Sequence, residues 1–134
     1  MTNPVVHLSV SIARPPAEVY AFVRDPRNLP SWAAGVGSSG TLESGAWVVA
    51  DSPMGRIALR FVPENAYGVL DHVVTLPDGT SVLNPMRVLP NADGSELLFS
   101  LFRLPGVSDA AFEADARAVR QDLARLKALL EGRG

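Results

Sequence analysis

His72 and Asn84 are the polar residues best placed to do chemistry. They flank Leu76-Pro77-Asp78-Gly79-Thr80, a composition that suits a three-residue hairpin loop, a type I turn followed by glycine in the left-handed region. Counting back from a Leu76–Thr80 pair sets His72 opposite Asn84, Leu70 opposite Met86 and Val74 opposite Val82. Side chains alternate between faces along a strand. One face of this hairpin therefore holds Leu70, Val74, Val82, Met86 and Val88, with His72 and Asn84 as its strongly polar members. A two-residue loop would shift the register and undo the pairing. In an apolar concavity the imidazole can present a ring nitrogen to a ligand carbonyl or hydroxyl, while Asn84 fixes its tautomer or meets the ligand itself. The same pair could carry acid–base work, since a partly desolvated imidazole titrates near neutrality. The plainer alternative is that the two satisfy each other, or a buried water, inside a closed core.

Other chemistry finds less support. Asp71 neighbours His72 in sequence but points to the opposite face, towards Arg87, which disfavours an Asp–His dyad. His7 lies on the polar side of the first strand and reads as a solvent residue. The two histidines share no metal-ligand spacing, and there is no cysteine, so neither metal ligation nor thiolate chemistry is expected. Arg60, between Leu59 and Phe61, falls on the outer face with Asp51 or the ring of Trp47 as its expected partner. Arg103 is assigned to a structural ion pair with the helical segment after the first strand or with Asp25. No serine stands in a nucleophile-elbow context. Gly35, Gly37 and Gly40 follow a helix and precede a strand, the reverse of a dinucleotide site, and read as a connector. No cofactor is expected.

These residues need elements to position them. Val6, Leu8, Val10 and Ile12 alternate with polar residues, the period of a strand with one buried face. Pro15 or Pro16 can open a helix carrying Val19, Tyr20, Phe22 and Val23, and Asp25-Pro26 stops it. A second short helix near 27–34 carries Leu29 and Trp32. Short apolar runs separated by turn residues then read as antiparallel strands near 41–42, 46–50, 57–62, 67–76, 80–89 and 96–104. After Pro105-Gly106, Ser108 caps a long helix with an apolar stripe of Phe112, Ala116, Val119, Leu123, Leu126 and Leu130, ended near Gly132. Glu113 and Arg117 form an expected surface pair.

A strand, two short helices, six more strands and a long terminal helix have few compact solutions. The order resembles the helix-grip fold of the SRPBCC superfamily, the START-like and pollen-allergen-like proteins. ARPPAEVYAFVRDPRNLPSWAAG, YGVLDHVVTLPDG, NPMRVLP and LFRLPGVSD resemble its polyketide cyclase/dehydrase-type branch. The resemblance implies one α+β domain over residues 1–134, with a curved antiparallel sheet of about seven strands wrapped around the terminal helix. It also implies a cavity between that helix and the sheet, used by an apolar or amphipathic small molecule. Trp32 is then either a wall at the cavity mouth or a staple for its short helix. Leu59, Phe61, Met54 and Phe112 belong to the core, which in this architecture is the cavity wall as well.

The chain has 134 residues, 47% of them hydrophobic, and a formal net charge of -2. It can bury a substantial core, and the charge balance offers no attraction to nucleic acid or anionic lipid. The N-terminal stretch lacks the pattern of a signal peptide or membrane span, so a cytoplasmic protein is expected. Three readings stay open: a binding protein for a small apolar molecule; a cyclase, aromatase or dehydratase in which His72, with Asn84 or Tyr67, moves a proton; and a protein-binding module with a filled core.

Overall fold

The computed structural model describes residues 1–34 and 40–133; Gly35 and Gly37 of the expected connector lie outside them. Strand β1 (Val5–Ile12) leads into helix α1 (Pro16–Arg24), a 3-10 turn (Pro26–Asn28) and helix α2 (Leu29–Trp32). Strands β2 (Thr41–Glu43), β3 (Ala46–Ser52), β4 (Gly55–Phe61), β5 (His72–Thr75), β6 (Ser81–Asn84), β7 (Met86–Asn91) and β8 (Gly94–Phe102) follow, and helix α3 (Asp109–Glu131) closes the chain.

The helix ends obey local chemistry. Pro16 occupies the first turn of α1, where its missing N–H costs nothing. Asp25 leaves the helical region ahead of Pro26, and its carboxylate accepts from the backbone and guanidinium of Arg27. Ser108 caps α3 by accepting from the Ala111 N–H at 3.1 Å. The buried stripe of α3 is Ala116, Leu123, Leu126 and Leu130, while Phe112 and Val119 are half-buried. Among the described residues, the ion pairs within the helix are Asp122–Arg125 and Lys127–Glu131, in place of the expected Glu113–Arg117. Lys127 Nζ also donates to the Ser11 carbonyl at 2.7 Å, and the Ala13 N–H donates to Glu131. Together they cover the C-terminal end of the free edge of β1.

The strands form two antiparallel sheets, in the order β1-β8-β7 and β2-β3-β4-β5-β6. Eight strands appear where about seven were expected, because Pro85, with no N–H to give a ladder, divides the run 80–89 into β6 and β7. The run 67–76 shortens to β5, yet its upstream half stays attached to β7. Val69 bridges Arg87, the Leu70 N–H donates to the Met86 carbonyl at 2.9 Å, and the Val88 N–H donates to the Gly68 carbonyl at 2.9 Å. These bonds carry one sheet into the other and produce a continuous curved surface. Gly68 makes the approach possible: it has φ +71, and a Cβ there would lie 2.3 Å from the Val88 carbonyl oxygen.

Cross-strand registers order the inner face. Trp47 pairs Leu59, which pairs Val74, which pairs Val82; Phe61 pairs His72, which pairs Asn84. On the other side Met86 pairs Phe99, which pairs Leu8, and Val88 pairs Leu97, which pairs Val10. The buried members of these rows join α1, α2 and α3 in one hydrophobic core.

Several sequence expectations need correction. Arg60 does lie on the outer face, but it donates to the Ser44 carbonyl rather than meeting Asp51 or Trp47, because the β2–β3 turn folds over it. Arg103 pairs with Asp109 and the Val107 carbonyl, the turn into α3 being nearer than the helical segment or Asp25. Met54, read as core, is exposed at the β3–β4 turn. Among the described residues no helix is long and apolar enough to cross a membrane.

Candidate functional site

The hairpin that positions His72 closes as its composition dictates. The Leu76 N–H donates to the Thr80 carbonyl at 2.8 Å and the Gly79 N–H to the Leu76 carbonyl at 2.9 Å, with Gly79 at φ +88. That three-residue loop fixes the register, so His72 stands opposite Asn84 and Val74 opposite Val82. Neighbouring Asp71 turns away. Its carboxylate accepts from the Met86 N–H at 2.9 Å and pairs with Arg87, which removes it as a partner for the imidazole.

His72 is buried, and its Nδ1 lies 3.1 Å from the Leu70 carbonyl oxygen. A carbonyl only accepts, so Nδ1 carries the proton and Nε2 offers a lone pair. The sequence left Asn84 either to fix the tautomer or to meet a ligand; the carbonyl of Leu70 sets the tautomer, and no side-chain hydrogen bond joins His72 to Asn84 among the described residues. Burial holds the imidazole below its ordinary pKa of 6.5, against the opposing pull of the Leu70 carbonyl and the Asp71 charge. The ring is therefore neutral at neutral pH. Phe61 stands 5.1 Å from it, centroid to centroid, and Phe99 6.0 Å, both tilted.

Nε2 takes no hydrogen-bond partner among the described residues. Among the described residues, the indole Nε1 atoms of Trp32 and Trp47 are both sealed and unpartnered. His72 itself keeps 6% of its surface exposed. Around it the inward-facing residues Val74, Val82, Asn84, Phe61 and Phe99 are only half-buried, although side chains on a closed interior face are normally sealed.

The predicted set divides in space. His72, Asn84, Val74, Leu70, Met86, Leu59 and Phe61 share the concave face, with Leu70, Met86 and Leu59 packed into the core. Trp32 is buried on α2 and held to α3, where Arg125 donates to its carbonyl at 2.8 Å and Asp122 accepts from the Ala34 N–H at 3.2 Å. Phe112 sits apart, lining a groove of about 350 Å³ with Val6 and Ala116. Tyr67, considered as a proton carrier, is 83% exposed and lines an outer groove with Tyr20. Phe99 was missed, because only the pairing of β8 with β7 brings it to His72.

A further groove of about 400 Å³ runs between α1 with its 3-10 turn and strands β2 to β4. Arg24, Asp25 and Arg27 stand on one side and Leu42, Leu59 and Phe61 on the other. Phe61 thus touches the groove and faces His72.

A family model described as polyketide cyclase / dehydrase and lipid transport matches residues 4–131. The chain belongs to this family. The SRPBCC resemblance and the α+β helix-grip architecture both follow. Among solved structures, the protein CV1439 from Chromobacterium violaceum is similar at 20% identity and TM-score 0.73, covering 98% of this chain and 99% of that one. XoxI from Bacillus cereus is similar at 18% identity and TM-score 0.73, covering 96% of each chain. Ara h 8.0201 is similar at 14% identity and TM-score 0.69, covering 97% of this chain and 99% of that one. At such identities the likeness is one of fold. No curated protein matches the sequence.

Proposed function

We propose that the protein binds a small apolar or amphipathic molecule on the concave face of its sheet, with His72 as the polar anchor. The observation that carries this reading is the unpartnered Nε2 of a neutral, inward-facing imidazole set between Phe61 and Phe99. Half-buried apolar surface at Val74, Val82 and Phe99 is available for a ligand to cover, at roughly 25 cal/mol per Å². Leu59, Leu70 and Met86 form the floor and Trp32 a packed wall. The family match over residues 4–131 supports reading 1–134 as one domain built around this hollow.

A cyclase or dehydratase would use the same lone pair as a base. With Asp71 engaged by Arg87 and Tyr67 at the surface, His72 has no second acid–base group beside it among the described residues. Binding without chemistry is therefore the better-supported reading. Titration with the fluorescent amine N-phenylnaphthylamine tests it. A saturable, one-to-one, blue-shifted signal is expected, and a signal that rises without saturating would remove the reading.

A further inference from the structure

The tautomer of His72 limits what the hollow can hold. Nδ1 is committed to the Leu70 carbonyl at 3.1 Å, so towards the half-buried residues around Nε2 the ring presents an acceptor and no donor. A ligand carbonyl placed there would meet lone pair against lone pair. A hydroxyl would complete the ring's second hydrogen bond.

Charge narrows the class further. The inner rows of the sheet carry Val6, Leu8, Val10 and Ile12 on β1, Ser95, Leu97, Phe99 and Leu101 on β8, and Trp47, Val49, Ile57, Leu59 and Phe61 on β3 and β4. With His72, Val74, Val82, Asn84, Met86 and Val88, these rows hold no Lys, Arg, Asp or Glu. The buried positions of α3 are alanine and leucine. A carboxylate brought against these rows would lose its hydration with no counter-charge among them to replace it.

We infer that the molecule held against His72 is a neutral, largely apolar compound that donates a hydrogen bond to Nε2, an aromatic or aliphatic hydroxyl rather than a carbonyl or a carboxylate. This rests on the ligand-binding reading above. The half-buried rings of Phe61 and Phe99 beside the imidazole offer aromatic contact to an aromatic bearer of that hydroxyl.

Calorimetric titration with β-naphthol, its methyl ether and the corresponding naphthoate tests the assignment on the intact protein. The three share a ring system and differ in whether they donate, accept or carry charge. Binding of the naphthol about tenfold tighter than the ether is expected, because loss of the donor leaves Nε2 desolvated and unpaired. The naphthoate should bind more weakly still. His72→Phe should erase the preference between naphthol and ether. The wild-type comparison stands alone should that variant fail to fold. Nitrogen-15 NMR of the free protein should find Nε2 unprotonated. Equal affinities for naphthol and ether, tighter binding of naphthoate, or a protonated Nε2 would overturn the donor assignment and leave the binding reading intact. Failure of all three compounds together with N-phenylnaphthylamine would remove the binding reading itself.

Discussion

Phe61 and His72 face each other across β4 and β5 as a direct register pair, with ring centroids 5.1 Å apart. Phe61 also lines the groove under α1 and the 3-10 turn. One ring thus separates that groove from the imidazole. Phe61→Ala should accelerate entry of an apolar probe, measured as a faster association phase in stopped-flow with N-phenylnaphthylamine. It should also lower stability by about 2–3 kcal/mol, less than for a fully sealed phenylalanine because the residue is half-buried. An unchanged association rate would mean that ligands reach His72 by another route.

The buried imidazole makes stability depend on pH. Its folded pKa lies below the ordinary 6.5, so near and below that value the unfolded chain binds the proton more readily. The stabilisation is present above the unfolded pKa and is lost as pH falls from 6.5 towards the folded value. The carboxylates held below their ordinary range, Asp25, Asp78 and Glu131, act in a more acid window, below 4.5. Denaturant midpoints measured between about pH 7.5 and 5.5 should therefore fall in the wild type and stay nearly level in His72→Phe. Parallel profiles would show that the ring is solvated in the folded protein.

Gly68 joins the two sheets at a point where no side chain fits. Gly68→Ala combines a left-handed backbone at φ +71 with a Cβ 2.3 Å from the Val88 carbonyl oxygen. Gly79 has a similar φ of +88 and nothing within 4 Å of its would-be Cβ. Gly79→Ala should cost about 1 kcal/mol of backbone strain. Gly68→Ala should cost at least about 2 kcal/mol more, read as the difference between the two unfolding free energies. Equal losses would mean that the β7 backbone yields freely.

The same region marks how far the sequence could be read. The His72–Asn84 register was legible because the five-residue stretch Leu76 to Thr80 encodes its own three-residue turn. The apolar stripe of α3 was legible from periodicity alone. The break at Pro85 was missed because proline tolerates strand dihedrals and loses only its ladder bond. The partner of Nδ1 escaped notice for a related reason. Residues 67–71 leave regular pairing, so the Leu70 carbonyl is free to accept from a side chain. Phe99 could not be placed by any local rule, since its neighbourhood comes from pairing β8 with both β7 and β1. Arg60 and Arg103 were given charged or aromatic partners, yet each also bonds a carbonyl in a nearby turn, whose position depends on backbone path rather than residue type.

The short helix α2 is tied to α3 through two side chains on successive positions of one face. Arg125 donates to the Trp32 carbonyl at 2.8 Å and to Asp122 at 3.0 Å, while Asp122 accepts from the Ala34 N–H at 3.2 Å. Burial raises the pKa of Asp122, with the Ala34 N–H and the Arg125 guanidinium opposing it. Removing the guanidinium therefore weakens both ties, because the carboxylate loses the charge that keeps it ionised in a partly buried place. Arg125→Ala should cost about 1 kcal/mol, a modest figure because the guanidinium is partly solvated. It should also shift the emission of Trp32 to longer wavelength, measured in a Trp47→Phe background so that one indole reports. Arg125→Lys can still supply the charge but not the forked geometry, and should restore part of the stability with less recovery of the emission. If Arg125→Ala leaves the Trp32 emission in place, packing against Leu29 and the core holds α2 by itself, and the two side chains serve only to satisfy its last backbone groups.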